Sequence, residues 1–313
     1  MRWQVHLLKC VIFGMLPFGS ALRRIKRRFV PYPIIVQEWK VKEFFRHLAL
    51  LKEAGFSPRG RSILEIGPGW HPVFALLYYL AGAERITLVD SQRLMDARLL
   101  TGTSTELFTK YGETIAAELG MGMDELRSRL LPPEASTFVE KLAFYRIEYL
   151  APADVCNDLR KGQRFDLITS IDVMEHIPPE MVKNILNECY EIMEENGRMM
   201  HLIDHCDHWS FVDSKLSSVH FLKYGDRAMG LLYRLNPLEY QNRLRHDDYI
   251  QLFSDAGFSI INAVTKVDEK AIKELSTMKL NAKYMGKEHR QLAITTSLLI
   301  AGKRDTSMVR SCS

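Results

Sequence analysis

The sequence has no CxxC pair and no regular cysteine spacing. Its five cysteines, Cys10, Cys156, Cys189, Cys206 and Cys312, are odd in number and scattered. Such a set fits a reducing, cytoplasmic compartment better than a disulfide framework. No internal repeat and no low-complexity run occurs, so the chain reads as an ordinary globular protein. No apolar run approaches the ~20 residues that a bilayer span needs. The nearest, at residues 11–18, is far shorter and is followed, not preceded, by its basic cluster, which argues against a signal peptide.

Acid is missing from residues 1–29, which hold seven basic side chains: Arg2, Lys9, Arg23, Arg24, Lys26, Arg27 and Arg28. Removing those seven from the 42 basic residues leaves 35 against 38 acids, so the rest of the chain is slightly acidic. The basic balance belongs to the N-terminus, and no nucleic-acid-binding surface is expected across the fold. Two readings of residues 1–29 stand. The segment is an amphipathic strip lying on the inner face of a membrane, with RRIKRR on anionic lipid, or it is a helix packed on the domain with a solvated basic end.

What is present is an alternation. A helix is expected over 36–56, then strands near 62–66, 85–90, 145–150, 165–171 and 198–204 and a late pair near 258–266 and 293–302. Helices fall between them, notably 179–197 and 246–258. The expectation is a Rossmann-like, doubly wound, mainly parallel seven-stranded α/β sheet. Insertions near 101–143, 205–243 and 268–291 break the alternation, and such insertions cover the strand carboxyl ends where open α/β sheets bind ligands. The expected organisation is an extension at 1–34, one catalytic domain over 35–305 and a tail at 306–313.

Glu65-Ile66-Gly67-Pro68-Gly69 stands where the first strand turns into a helix. A dinucleotide fingerprint would carry a third glycine where Pro72 stands, and Glu65 is poorly placed for a pyrophosphate, which argues against a nicotinamide oxidoreductase. A carboxylate there suits a cationic amino-acid end. Asp90 ends the second strand and can accept ribose hydroxyls; its alternative is a helix cap. LEIGPG, LVD, APADV and FDLITSIDVMEHIP, in this order over about residues 60–204, resemble the class I S-adenosylmethionine-dependent methyltransferases. The late GFSI and ITTSLLIAGK strands resemble that fold's terminal antiparallel pair. The resemblance implies S-adenosylmethionine as cofactor. Glu65, Gly67 and Gly69 would line its methionine end, and Asp90 would hold the ribose. Asp154 and Val155 would meet the adenine, and Ser170 and Ile171 would pass under the methionine portion. The family's usual third glycine is His71 here.

HLIDHCDHWS (201–210) places Asp204 at the carboxyl end of the fifth strand. His205 or His208 is expected as a general base, oriented by Asp204 or Asp207, with His176 of MEHIP nearby. A structural hydrogen-bond network is the alternative. Asp204, His205 and His208 can also converge in a loop, but their spacing matches no zinc pattern, and no metal is expected. Trp209, Arg243 and Arg245 are expected at the substrate rim, or the arginines pair with Asp247 and Asp248. No NPPY-like tetrad follows the fourth strand, which disfavours a planar amide or exocyclic amine acceptor. The expected reaction is O-methylation of a small-molecule, sugar or lipid-linked substrate. The alternative is a catalytically silent S-adenosylmethionine-binding sensor or scaffold.

Overall fold

A computed structural model describes residues 32–235 and 239–304. The basic segment 1–29 and the tail 306–313 lie outside the described residues. Among these, no helix is long and apolar enough to cross a membrane.

The helices are α1 (Glu38–Glu53), α2 (Val73–Leu80), α3 (Ala97–Leu119), α4 (Met123–Leu130), α5 (Phe138–Phe144), α6 (Pro179–Ile192), α7 (Asp226–Leu235), α8 (His246–Asp255), α9 (Glu269–Leu275) and α10 (His289–Leu292). The strands are β1 (Ser62–Ile66), β2 (Arg85–Val89), β3 (Ile147–Leu150), β4 (Phe165–Ile171), β5 (Met193–Asp204), β6 (Phe258–Val267) and β7 (Ile294–Lys303). They form one seven-stranded sheet in the order β3-β2-β1-β4-β5-β7-β6. The first five are parallel, and β7 runs antiparallel to both β5 and β6.

The period-2 alternation of buried residues builds two cores. Ile63, Ile86, Leu88, Leu167, Met200, Leu202 and Ile300 pack with α1, α2 and the α3–α4 helices on one face. Leu64, Ile66, Ile168, Met199, Ile203 and Leu299 pack with α6 and α8 on the other. The boundary between α6 and β5 differs from the sequence reading. The helix expected to reach residue 197 ends at Ile192, because Met193 pairs with Phe165 and opens β5 early. Pro72 sits at the N-cap of α2.

The three insertions behave differently. Residues 97–144 pack into the α1–α2 core, and α3 anchors the segment before α1: Arg98 donates to the Tyr32 carbonyl, and the Val36 amide donates to Glu106. The other two insertions pack on each other. Val219, Phe221 and Leu222 join Ala271, Leu275, Tyr284 and Leu292 in a separate small core, making a cap beside the ends of β5 and β7.

Candidate active site

The carboxyl ends of β1, β4 and β5 converge on two cavities. The first, about 330 Å³, is lined by Glu65, Gly67 and Gly69 together with Tyr32, Lys40, Trp70, Ile171 and Asp172. The chain reverses sharply after β1, with Gly67 at φ 69° and Gly69 at φ 68°. A Cβ on Gly67 would stand 2.8 Å from the Val173 side chain, whereas one on Gly69 would meet nothing within 4 Å. Gly67 therefore serves close packing, and Gly69 leaves room beside the turn. Over the turn, Tyr32 stacks on Trp70 with ring centroids 4.3 Å apart, and His71 contacts the Pro33 carbonyl at 3.0 Å.

Glu65 is buried, and its Oε2 has no hydrogen-bond partner. Burial pushes its carboxyl up to about 7, only partly offset by Lys40. A buried, underbonded acid facing a cavity is a receptor for a cation. Asp90 is buried as well and is raised by that burial, while the amides of Gln92 and Gly69 donate to its two oxygens. Ser170 does not reach the cavity, because its hydroxyl bonds the buried His201 Nδ1 at 2.7 Å. Asp154 caps its own loop through the Cys156 amide and the Asn157 side chain, and lines a separate cavity of about 490 Å³. Val155 is a core residue.

The second cavity, about 1200 Å³, is lined by Trp39, Glu43, Arg46, Asp172, Leu202, Asp204, Cys206, Phe211 and residues of β6, α9 and β7. Asp172 lines both cavities. It follows β4 directly, at φ 53°, and its amide donates to the Leu202 carbonyl. Burial, with the Asp204 charge added, pushes its carboxyl up to about 6. Burial also acts to raise Asp204, but His208 and the Cys206 amide outweigh it and hold that carboxyl below its ordinary range. Two neighbouring carboxyls are thus driven apart, one poised near neutrality and one kept ionised.

The structure divides the HLIDHCDHWS residues. Asp204 faces the large cavity, and His208 Nε2 lies 3.3 Å from its Oδ2. His205 is buried with both nitrogens engaged, Nδ1 with the Leu244 carbonyl and Nε2 with the Ser297 hydroxyl, and burial beside the Arg245 guanidinium holds it well below the usual imidazole range. It has no lone pair to offer an acceptor. Asp207 is equally buried, capping the Trp209 amide and lying 3.3 Å from His220 Nδ1. These two belong to the structural network that was the alternative reading.

The rim residues also move. Trp209 is 4% exposed and belongs to the interior; Phe211, 69% exposed, lines the cavity instead. Arg245 is wholly buried and donates to the carbonyls of His205, Leu292 and Ile294, so it fastens the cap to the sheet. Arg243 donates to the Phe221 and Tyr224 carbonyls and pairs with Asp226. Neither arginine faces the cavity, and Lys287 takes the pairing with Asp247 and Asp248.

Sequence reasoning passed over Asp172 and Glu175, although both lie inside the FDLITSIDVMEHIP stretch. Glu175 is buried, and burial next to Asp172 raises it well above the carboxylate range. The backbone near Glu175 and Asp204 tempers the rise, but no donor reaches hydrogen-bond geometry at either carboxylate oxygen. An acid set among apolar residues immediately after a strand was the available signal.

Residues 40–263, well over half the chain, match the family described as methyltransferase domain. No curated protein matches the sequence. Among solved structures, the chain is similar to magnesium protoporphyrin IX methyltransferase from Synechocystis, at 14% identity and TM-score 0.44, covering 92% of this chain and 95% of that one. It is also similar to an S-adenosylmethionine-dependent methyltransferase from Clostridium acetobutylicum, at 11% identity and TM-score 0.43, covering 91% and 98%. A TehB-like S-adenosylmethionine-dependent methyltransferase from Corynebacterium glutamicum follows, at 14% identity and TM-score 0.40, covering 91% and 97%. With its strand order, its glycine turn and this family match, the chain belongs to the class I S-adenosylmethionine-dependent methyltransferases.

Proposed function

We propose that the protein O-methylates a small-molecule, sugar or lipid-linked acceptor, with Asp172 as general base. The observation that carries this reading is that one carboxylate lines both cavities.

S-adenosylmethionine supplies a methyl group on a sulfonium, and the C–S electron pair returns to sulfur when the methyl leaves. The residues of the smaller cavity suit it: the orphaned Glu65 oxygen would take the cationic amino end, and the open space beside Gly69 would admit the chain. Asp90 at the end of β2 would hold the ribose, exchanging its amide bonds for hydroxyls, with Asp154 and Val155 toward the adenine. Ile171 lines the same cavity and would pass under the methionine portion, with Ser170 behind it.

The acceptor would lie in the larger cavity. Asp172 takes the proton of its hydroxyl as the oxygen forms its bond to the methyl carbon, so the alkoxide need not form in free solution. Asp204, held by His208, orients that hydroxyl from the other side. Trp39 and Phe211, 41% and 69% exposed at this cavity, suit the apolar portion of an amphipathic acceptor, and a lipid-linked one would bring the basic residues 1–29 to the membrane face.

The test is transfer of labelled methyl from S-adenosylmethionine into lipid, polysaccharide, small-molecule and protein fractions of host extract, with Asp172→Asn as blank. Label in one non-protein fraction, alkali-stable as an ether and absent from the blank, is expected. Label as an N-methyl group, or equal label with Asp172→Asn, would overturn the reading. Cofactor binding without label in any fraction would favour the sensor.

A further inference from the structure

Beside the acceptor cavity stands a cluster of which the proposed transfer uses only His208, through its pairing with Asp204. Glu175, His176 and His208 each offer one ligand atom, and the three atoms lie within 4.8 Å of one another. We propose that these three residues bind a divalent transition-metal ion of the zinc class. The proposal does not depend on which acceptor is methylated.

Three observations support it. Glu175 is 3% exposed and neither of its carboxylate oxygens has a hydrogen-bond partner. An unpaired buried carboxylate is costly, and a coordinated cation is one of the few partners that removes the cost. Second, His176 Nδ1 lies 2.8 Å from the Tyr240 carbonyl. A carbonyl only accepts, so Nδ1 carries the proton and Nε2 keeps its lone pair, which is how a protein fixes the tautomer of a ligating histidine. Third, Asp204 lies 3.3 Å from His208 Nε2, giving that imidazole a carboxylate partner outside the cluster.

The donor set also decides the class of ion. Two imidazoles and one carboxylate favour zinc, iron or manganese over calcium or magnesium, which prefer oxygen shells. Three protein ligands leave coordination positions for water or substrate. The backbone holds the cluster in place: the Asn242 amide donates to the Glu175 carbonyl, and its side chain donates to the Met174 and Ile177 carbonyls. Gln241 accepts from the His208 amide and donates to the Cys206 carbonyl. Gln241 and Asn242 therefore fix both histidine-bearing loops relative to each other.

The function of the ion would be to hold His208, and through it Asp204, in one orientation at the acceptor cavity. No bond is made or broken by it in this role.

The experiment is titration of the full chain, without a histidine tag and stripped by chelator, with Zn²⁺ alone by calorimetry, and with Co²⁺ alone by visible absorption. One equivalent of Zn²⁺ is expected, with d–d bands of a nitrogen–oxygen site for Co²⁺. Binding should weaken at least about tenfold in His176→Ala, His208→Ala and Glu175→Gln, and stay unchanged in His289→Ala, whose ring lies in α10. His176 is at the surface, so its variant is expected to fold, and circular dichroism checks this. If Glu175→Gln does not fold, the two histidine variants decide. No stoichiometric binding, or binding that survives both histidine substitutions, would overturn the proposal, and because the titrations read metal binding alone, either result leaves the assignment of Asp172 as base untouched.

Discussion

Asp204 and His208 lie four residues apart at the end of β5, and Oδ2 of the first stands 3.3 Å from Nε2 of the second. This pairing keeps one carboxylate ionised at the large cavity while its neighbour Asp172 is pushed up to about 6. If the pair positions the acceptor, His208→Ala should raise the acceptor KM and lower kcat by roughly 10-fold each, and Asp204→Ala by roughly 10–100-fold in kcat/KM. The cofactor Kd should move less than about threefold in both. Steady-state kinetics against equilibrium cofactor binding separates the two.

Asp172→Asn should lower kcat by roughly 10²–10⁴-fold, the usual range for loss of a general base, with the cofactor Kd nearly unchanged. The acid must be ionised to accept a proton. In the wild type, kcat/KM should therefore be flat above pH about 6 and fall tenfold per unit below it. The residual rate of Asp172→Asn should lack that limb. A wild-type profile flat through pH 5 would exclude the assignment.

Glu65 couples binding to stability. Its carboxyl stands at about 7 in the folded chain against 4.5 for an ordinary glutamate. A raised acid contributes stability that is fully present below about 4.5 and is lost as pH rises through about 7. Without cofactor, Glu65→Gln should therefore be more stable than wild type at pH 8, by roughly 1–3 kcal/mol, and nearly equal to it at pH 5. Its affinity for S-adenosylmethionine should fall at least about tenfold, because the cationic amino end loses its partner. Urea denaturation at the two pH values and calorimetry at pH 8 check both halves.

Arg245 gives the sharpest structural prediction. Replacing it with Met strands three buried carbonyls, at His205, Leu292 and Ile294. The cost should be roughly 3 kcal/mol or more, seen as a lower denaturation midpoint. If Arg245 bound the acceptor instead, Arg245→Met would raise KM with little loss of stability.

Much of the fold was legible because the central parallel strands β1, β2 and β4 are largely buried and read as short apolar runs. β1 and β4 fall at the positions expected from SILEI and FDLITSI. The end of α6 was not legible, since its pairing of Met193 with Phe165 depends on a strand 28 residues earlier. In the site, position along a strand was readable, which is why Asp204 was placed correctly at the end of β5. Side-chain engagement was not: the fate of His205 is set by Ser297 on β7 and Leu244 before α8, far away in sequence. Arg243 and Arg245 looked like rim residues because an arginine fully satisfied by carbonyls carries the same letters as one facing solvent. Asp172 carried a sequence signal, an acid directly after a strand among apolar residues, but its place where two cavities meet depends on elements far apart in the chain.

The cap formed by the two late insertions has its own small apolar core, separate from both faces of the sheet. Part of its link to the rest of the chain runs through main-chain carbonyls held by Arg245, which are indifferent to the side chains around them. Residues lining the large cavity from that side can therefore be exchanged without touching the glycine turn or Asp90. A scaffold divided in this way lets substrate choice drift from one descendant to another while the methyl donor stays the same, and it makes the cap the natural place to graft a new specificity.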